Sequence, residues 1–155
     1  MTLRLRTLVD AELAEFVEAC RSEYVTGLVE QARLPPDFAA RKAERDLAAY
    51  EGVIPQGHSF YWIESDGERI GRLWFEERES ARVGRIAWLY EVEIDPPFRG
   101  RGYGRIAMQL LEDNVRARGI PEIALNVWGG NDLARSLYRS EGYFERSVEM
   151  AKVLV

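Results

Sequence analysis

Seven residues, FRGRGYG from Phe98 to Gly104, put three glycines and two arginines into one short stretch. Glycine takes φ > 0 and lets a ligand approach the backbone without meeting a Cβ. Where such a loop opens a helix, the free N–H groups and the helix dipole favour an anion, with phosphate the usual guest. Two other sets of residues can move protons. In LYEVEI, Glu91 and Glu93 fall on one strand face roughly 7 Å apart, with Tyr90, Val92 and Ile94 on the other. Facing a cleft, such a pair raises the pKa of at least one member and can bind an ammonium or relay its proton; on an open face the two are simply solvated. Tyr138 shares an apolar stripe with Leu133, Ala134 and Leu137 and reads by itself as a core aromatic, although its phenol, with an ordinary pKa near ~10, could donate a proton.

These residues need elements to hold them. LRLRTL alternates as a half-exposed strand does, and Asp10 can cap the helix that follows. Leu13, Phe16, Val17, Cys20, Tyr24 and Leu28 recur at helical spacing as far as about Gln31, ahead of Pro35-Pro36. A second helix is predicted over Asp37 to Tyr50, followed by a loop over Gly52 to Gly57. HSFYWIES and ERIGRLWFEE, joined by Asp66-Gly67, predict a hairpin, with the charged EERE run at its solvated end. Arg85 to Ile94 is the most strand-like run. After the glycine loop comes a helix ending at Gly119, a strand in EIALNVW, a short helix in NDLARSLYRSE and a last strand in YFERSVEMAKVLV. The order β-α-α-β-β-β-α-β-α-β predicts an α+β protein, a mixed sheet with helices packed against it, in one domain over residues 1–155.

Composition removes several classes of function. A net charge of -5 argues against a general nucleic-acid binder and suits an amine-bearing substrate. One cysteine, Cys20, and one histidine, His58, exclude disulfides within the chain and any His/Cys metal cluster, so no metal is expected. Cys20 lies on an apolar helix stripe and His58 starts a strand, so both are read as structural. No run approaches the ~18 apolar residues of a membrane span, and the N-terminus lacks a signal-peptide core, so a cytoplasmic protein without a membrane partner is expected.

GYGRIA, Gly102 to Ala107, also satisfies the dinucleotide pattern GxGxxA, with Glu122 near the distance of a ribose-binding acid. That pattern wants its first glycine directly after the strand, whereas Asp95 to Arg101 intervene, and no GK[ST] follows for a Walker loop. IDPPFRGRGYGRIAMQLLEDNVRARG instead resembles the coenzyme-A-binding segment of the GNAT N-acetyltransferase superfamily, Arg/Gln-x-x-Gly-x-Gly/Ala, with Arg99, Gly102 and Gly104 in the pattern positions. LNVWGGNDLARSLYRSEGY resembles the family's second block, with Asn131, Ala134, Tyr138 and Gly142 matching.

The resemblance implies a GNAT fold: a mostly antiparallel sheet of six to seven strands with one splayed parallel pair. It implies acetyl-CoA as co-substrate, with the pyrophosphate on the backbone of Arg99, Gly100, Arg101, Gly102, Tyr103, Gly104 and Arg105. The pantetheine arm would lie along Val92 and Ile94 and near Asn126, Asn131 and Ala134, with Tyr138 as general acid and Glu91 or Glu93 as base or ammonium site. Direct transfer to the primary amine of a small molecule or peptide follows, by a monomer or homodimer. Members that acetylate ribosomal-protein N-termini usually carry Glu where Asn126 stands, which sets this chain apart from them. The alternatives are a non-catalytic acyl-CoA-binding sensor and the dinucleotide-binding oxidoreductase.

Overall fold

The structure, a computed structural model, describes residues 2–155. Strand β1 (Leu3–Thr7) leads through a short 3-10 turn (Asp10–Glu12) into helix α1 (Leu13–Glu30), and α2 (Pro36–Leu47) follows. Then come β2 (His58–Ser65), β3 (Glu68–Ser80), β4 (Gly84–Ile94), α3 (Tyr103–Ala117), β5 (Ile123–Leu125) and α4 (Asp132–Ser140). The strands form one sheet in the order β1-β2-β3-β4-β5. The first three pairings are antiparallel and β4–β5 is parallel.

Alternation along the central strands gives the sheet two buried faces. Ile63, Leu73 and Phe75 meet Ala107, Met108 and Leu111 of α3 on one side. Phe60, Trp62 and Trp74 meet Leu13, Phe16 and Val17 of α1 on the other. Phe16 and Phe60 are buried and sit edge to face with ring centroids 5.2 Å apart; each contributes about 1.5–3 kcal/mol by leaving water. The predicted Asp66-Gly67 hairpin forms, with φ of 52° and 85° at the two residues, as its turn type demands.

Several expectations change. Asp10 does not cap α1; its Oδ1 accepts from Ile54 N at 3.0 Å, and the Glu12 side chain closes onto Val9 N instead. The EERE run belongs to β3, where Glu76 to Ser80 pair with Trp88 to Gly84. The last predicted strand does not form: residues 144–155 are outside any helix or strand, with Phe144, Val148, Met150 and Leu154 exposed. Strand geometry needs a neighbour to complete its ladder. Here Glu145 pairs with Arg135 and Arg139 of α4 at 2.5 Å, and Arg146 pairs with Glu122 at 2.7 Å. The sheet therefore has five strands, and the parallel pairing spans only Ala87–Leu89 against Ile123–Leu125.

A bulge in β4 changes what the site looks like. Trp74 pairs with Glu91 but Phe75 pairs with Leu89, so Tyr90 is the extra residue. Its ring turns onto the α1 face and stacks on Trp74 at 4.3 Å, instead of sharing a side with Val92 and Ile94 as strict alternation predicts. Gly71, opposite Ile94, lets β3 and β4 close up beyond the bulge: a Cβ there would lie 2.2 Å from the Glu93 carbonyl oxygen. That oxygen is backbone and cannot swing aside. Gly71→Ala is expected to lower unfolding free energy by about 3 kcal/mol, the upper range of overpacking, with urea denaturation as the measurement. A loss below about 0.5 kcal/mol would mean that the strands part there at little cost.

Candidate active site

The β4–β5 ladder stops at Leu89 and Leu125, so Tyr90 to Ile94 keep β3 as their hydrogen-bonded neighbour and have no ladder to β5. Past the end of β4, Pro96–Phe98 make a 3-10 turn and the chain enters the glycine loop. Gly100 and Gly102 have φ of 76° and 79°, and Gly102 is the N-cap of α3. A Cβ at either would project into open space, so the glycines are there for backbone conformation, not packing. The first bond within α3 runs from Ile106 N to Gly102 O, so the preceding N–H groups, Gly104 and Arg105 among them, point out of the helix end. That makes an anion nest at the positive end of a 15-residue helix.

The arginines around this nest divide. Arg99 folds back, its Nε donating to Ile94 O at 2.8 Å and its guanidinium pairing with Glu93. Arg105 pairs with Glu141. Arg101 is exposed, with only a 3.4 Å contact to Pro97 O and a loose approach to the Phe98 ring, and is the most readily redirected to a phosphate. Tyr103 is buried as the first residue of α3. Asn131 caps α4, its side chain accepting from Ala134 N at 3.2 Å. Asn126 stands exposed just past β5.

Glu91 and Glu93 do share a face, the one covered by α1. Burial comes first in raising both carboxyls, and Glu91 reaches about 7. Carboxylate oxygens of Glu23, Glu91 and Glu93 lie within 4.8 Å of one another. Beneath them Arg72, its side chain 7% exposed, reaches Glu23 at 3.0 Å, Asp95 at 3.6 Å and Glu91 at 4.0 Å. Tyr138 is pushed up to about 12, by burial first and then by the charges of Glu91 and Glu93, which sets all three in one electrostatic neighbourhood. Its ring lies 5.7 Å from that of Tyr143. Cys20 is buried against Glu91, and burial holds its thiol protonated. His58 is structural: Nδ1 accepts from Trp74 Nε1 at 3.0 Å.

The sheet therefore sets an anion nest, a raised carboxyl pair and a half-buried phenol around the gap where two parallel strands part. The profile of the Acetyltransferase (GNAT) family matches residues 17–143. The chain belongs to the GNAT family. It is thus an acyltransferase, and its glycine loop and α4 are the elements that the family's sequence blocks predict. An uncharacterized N-acetyltransferase of Bacillus subtilis, YdgE, is 33% identical over 155 residues, covering 96% of this chain and 98% of that protein. A ribosomal protein bS18-alanine N-acetyltransferase of Salmonella typhimurium is 30% identical over 115 residues, 66% of this chain and 78% of that one. The crystal structure of a putative acetyltransferase, YycN of Bacillus subtilis, covers 99% of both chains with a TM-score of 0.90 at 24% identity, a likeness of fold.

Residues absent from the sequence-based site include Glu23, Arg72, Tyr24 and Asp46. Arg72 had a signal, a lone charge inside the apolar run of β3; the helix carboxylates had none, because exposed acids on helices are ordinary. Trp128 packs on α1: a Cβ on Gly27 would lie 2.4 Å from its Nε1. The loop before α4 is docked there too by Gln31, whose Oε1 accepts from Gly130 N at 3.2 Å.

Proposed function

We propose that this GNAT acyltransferase acts as one domain, takes acetyl-CoA as co-substrate and acetylates a primary amine by direct attack. The observation that carries the reading is the meeting of Glu91, Glu93 and Tyr138 where β4 and β5 diverge, with the nest of Gly100 to Arg105 at the next turn of the chain. Acetyl-CoA, when bound, would supply an activated thioester whose sulfur leaves as a thiolate and takes its proton from solvent. The nest and Arg101 hold its phosphates, while Val92 and Ile94 line the strand gap with the exposed Asn126 as a polar side chain beside it. Asn131 and Ala134 serve by fixing the start of α4, which carries Tyr138.

Glu91, titrating near 7, is half ionised at neutral pH and takes the proton of the incoming ammonium, directly or through one water. Glu93 pairs with Arg99 beside it. Tyr138 donates a hydrogen bond to the sulfur as charge grows there. Cys20, buried and protonated, is a poor nucleophile, which supports direct transfer over an acyl-cysteine route.

Calorimetric titration with acetyl-CoA, followed by thiol release with a panel of amines, tests this. Gly102→Ala, forced to φ near 79°, is expected to weaken acetyl-CoA binding about tenfold in the same titration and to cost about 1 kcal/mol of stability. Binding without thiol release on any amine would reduce the protein to an acyl-CoA sensor; no binding would remove the reading.

A further inference from the structure

Between α1, α2 and the bulge of β4 lies a cavity of about 300 Å³ whose lining includes Tyr24, Asp46, Tyr50, Trp74, Tyr90 and Glu91. It opens beside the carboxylate already assigned as base, so it is the room in which an acceptor would sit. We propose that this pocket selects a short alkyl amine carrying a second cationic nitrogen, an alkyl diamine or a polyamine end, with Glu91 at the reacting nitrogen and Asp46 at the other. The inference rests on the acetyl-transfer reading and names its acceptor class.

Two features of the pocket point that way. Its walls are rings: Tyr90 stacks on Trp74 at 4.3 Å, and Tyr50 stands edge-on to Trp74 at 4.7 Å. The ring faces suit methylenes, and the polar groups set among them are tyrosine hydroxyls and the two carboxylates. The second feature is a carboxylate at two levels of α1. Glu91 lies against Cys20, whereas Asp46 accepts from the Tyr24 hydroxyl at 2.7 Å, one helical turn further on. Both carboxylates line the one cavity, so a single guest can reach the two.

Asp46 carries a cation already. Lys42 Nζ donates to its Oδ2 at 2.8 Å, and the Tyr24 hydroxyl donates to the same oxygen. Oδ1 retains its lone pairs for a guest ammonium. Lys42 is an i, i+4 partner on α2, a weak class of pairing, so a guest can share or displace it. Around Glu91 lie the carboxylates of Glu23 and Glu93, with Arg72 and Arg99 as their cationic partners.

The experiment compares thiol release and calorimetric binding for putrescine, cadaverine and spermidine against butylamine and pentylamine, in wild type, Asp46→Asn and Lys42→Met. All three proteins are first matched for Tm. The diamines are expected to exceed the monoamines at least tenfold in kcat/KM. Asp46→Asn should cut that ratio about tenfold, about 1.4 kcal/mol, and Lys42→Met should raise it. Equal rates for diamines and monoamines, or a ratio unmoved in Asp46→Asn, would overturn the pocket assignment while leaving amine acetylation standing. Diamine binding that is weakened by Asp46→Asn but gives no thiol release would keep the pocket and overturn the transfer reading. Neither binding nor turnover with any diamine would overturn the pocket assignment, and absence of thiol release with every amine would overturn the transfer reading with it.

Discussion

Tyr138→Phe is expected to lower kcat by roughly a hundredfold, while acetyl-CoA still binds with wild-type affinity and the Tm stays within a few degrees. The size follows from what this phenol can do. Burial and the neighbouring carboxylates push it to about 12, so it is protonated across any working pH and adds no limb to the pH–rate profile. An ordinary thiol titrates near ~8.5, so full proton transfer from Tyr138 to the departing sulfur is uphill. What remains is a hydrogen bond to developing negative charge in a site shielded from water, and losing one such donor costs about a hundred- to a thousandfold in kcat. Phe keeps the packing against Tyr143. Single-turnover thiol release at saturating acetyl-CoA measures the step, and a loss under threefold would leave Tyr138 as a core aromatic and nothing more.

Glu91→Gln is the second large effect, and it has two signs. In wild type kcat/KM should rise with pH and break near 7, because the protonated carboxyl accepts no proton below that value. In the variant the break disappears and the rate at pH 8 falls by roughly a hundred- to a thousandfold. Stability moves the other way. The folded carboxyl titrates near 7, against 4.5 for the unfolded chain, so the folded state holds the extra proton between those values. Stability therefore falls as pH rises through the window, and the variant escapes the fall. At pH 8 Glu91→Gln should be more stable than wild type, on the order of 2 kcal/mol by urea denaturation, with the difference closing by pH 4. An unchanged pH profile would assign the base to Glu93 or to water, and a destabilised variant would mean that Arg72 needs the Glu91 charge.

Arg72 is the hinge of that second outcome. It is nearly buried, and it bonds to the Ala19 carbonyl at 3.4 Å as well as to Glu23, so the same side chain fastens α1 to the sheet and sets the field around the base. In Glu91→Gln it keeps Glu23 and Asp95, which is why the variant is expected to fold.

Local chemistry was legible in the sequence wherever one segment carries its own instruction. The Asp66-Gly67 hairpin, the positive-φ glycines before α3 and the cap of α4 by Asn131 depend on neighbours within a few residues, and each formed as its residue types require. The two family blocks are of this kind: a glycine nest and a helix N-terminus are built within one stretch of chain. The last strand was not legible, because alternation shows that a segment can pair, not that it finds an edge; residues 144–155 are held by ion pairs at Glu145 and Arg146 instead. Period-two alternation likewise put Tyr90 on the far face, and one extra residue in β4 reversed it.

The sequence by itself determined the acyltransferase family and offered the glycine loop, Glu91, Glu93 and Tyr138 as candidate site residues, because each is a residue type at a fixed local spacing. Only the tertiary structure decided that the carboxyl pair is buried under α1 and raised, that Arg99 turns to Glu93 and leaves Arg101 facing out, and that Tyr24 and Asp46 join Tyr90 around one cavity. Burial and field are sums over elements distant in the chain, and a pKa or a pocket follows those sums, not the order of residues.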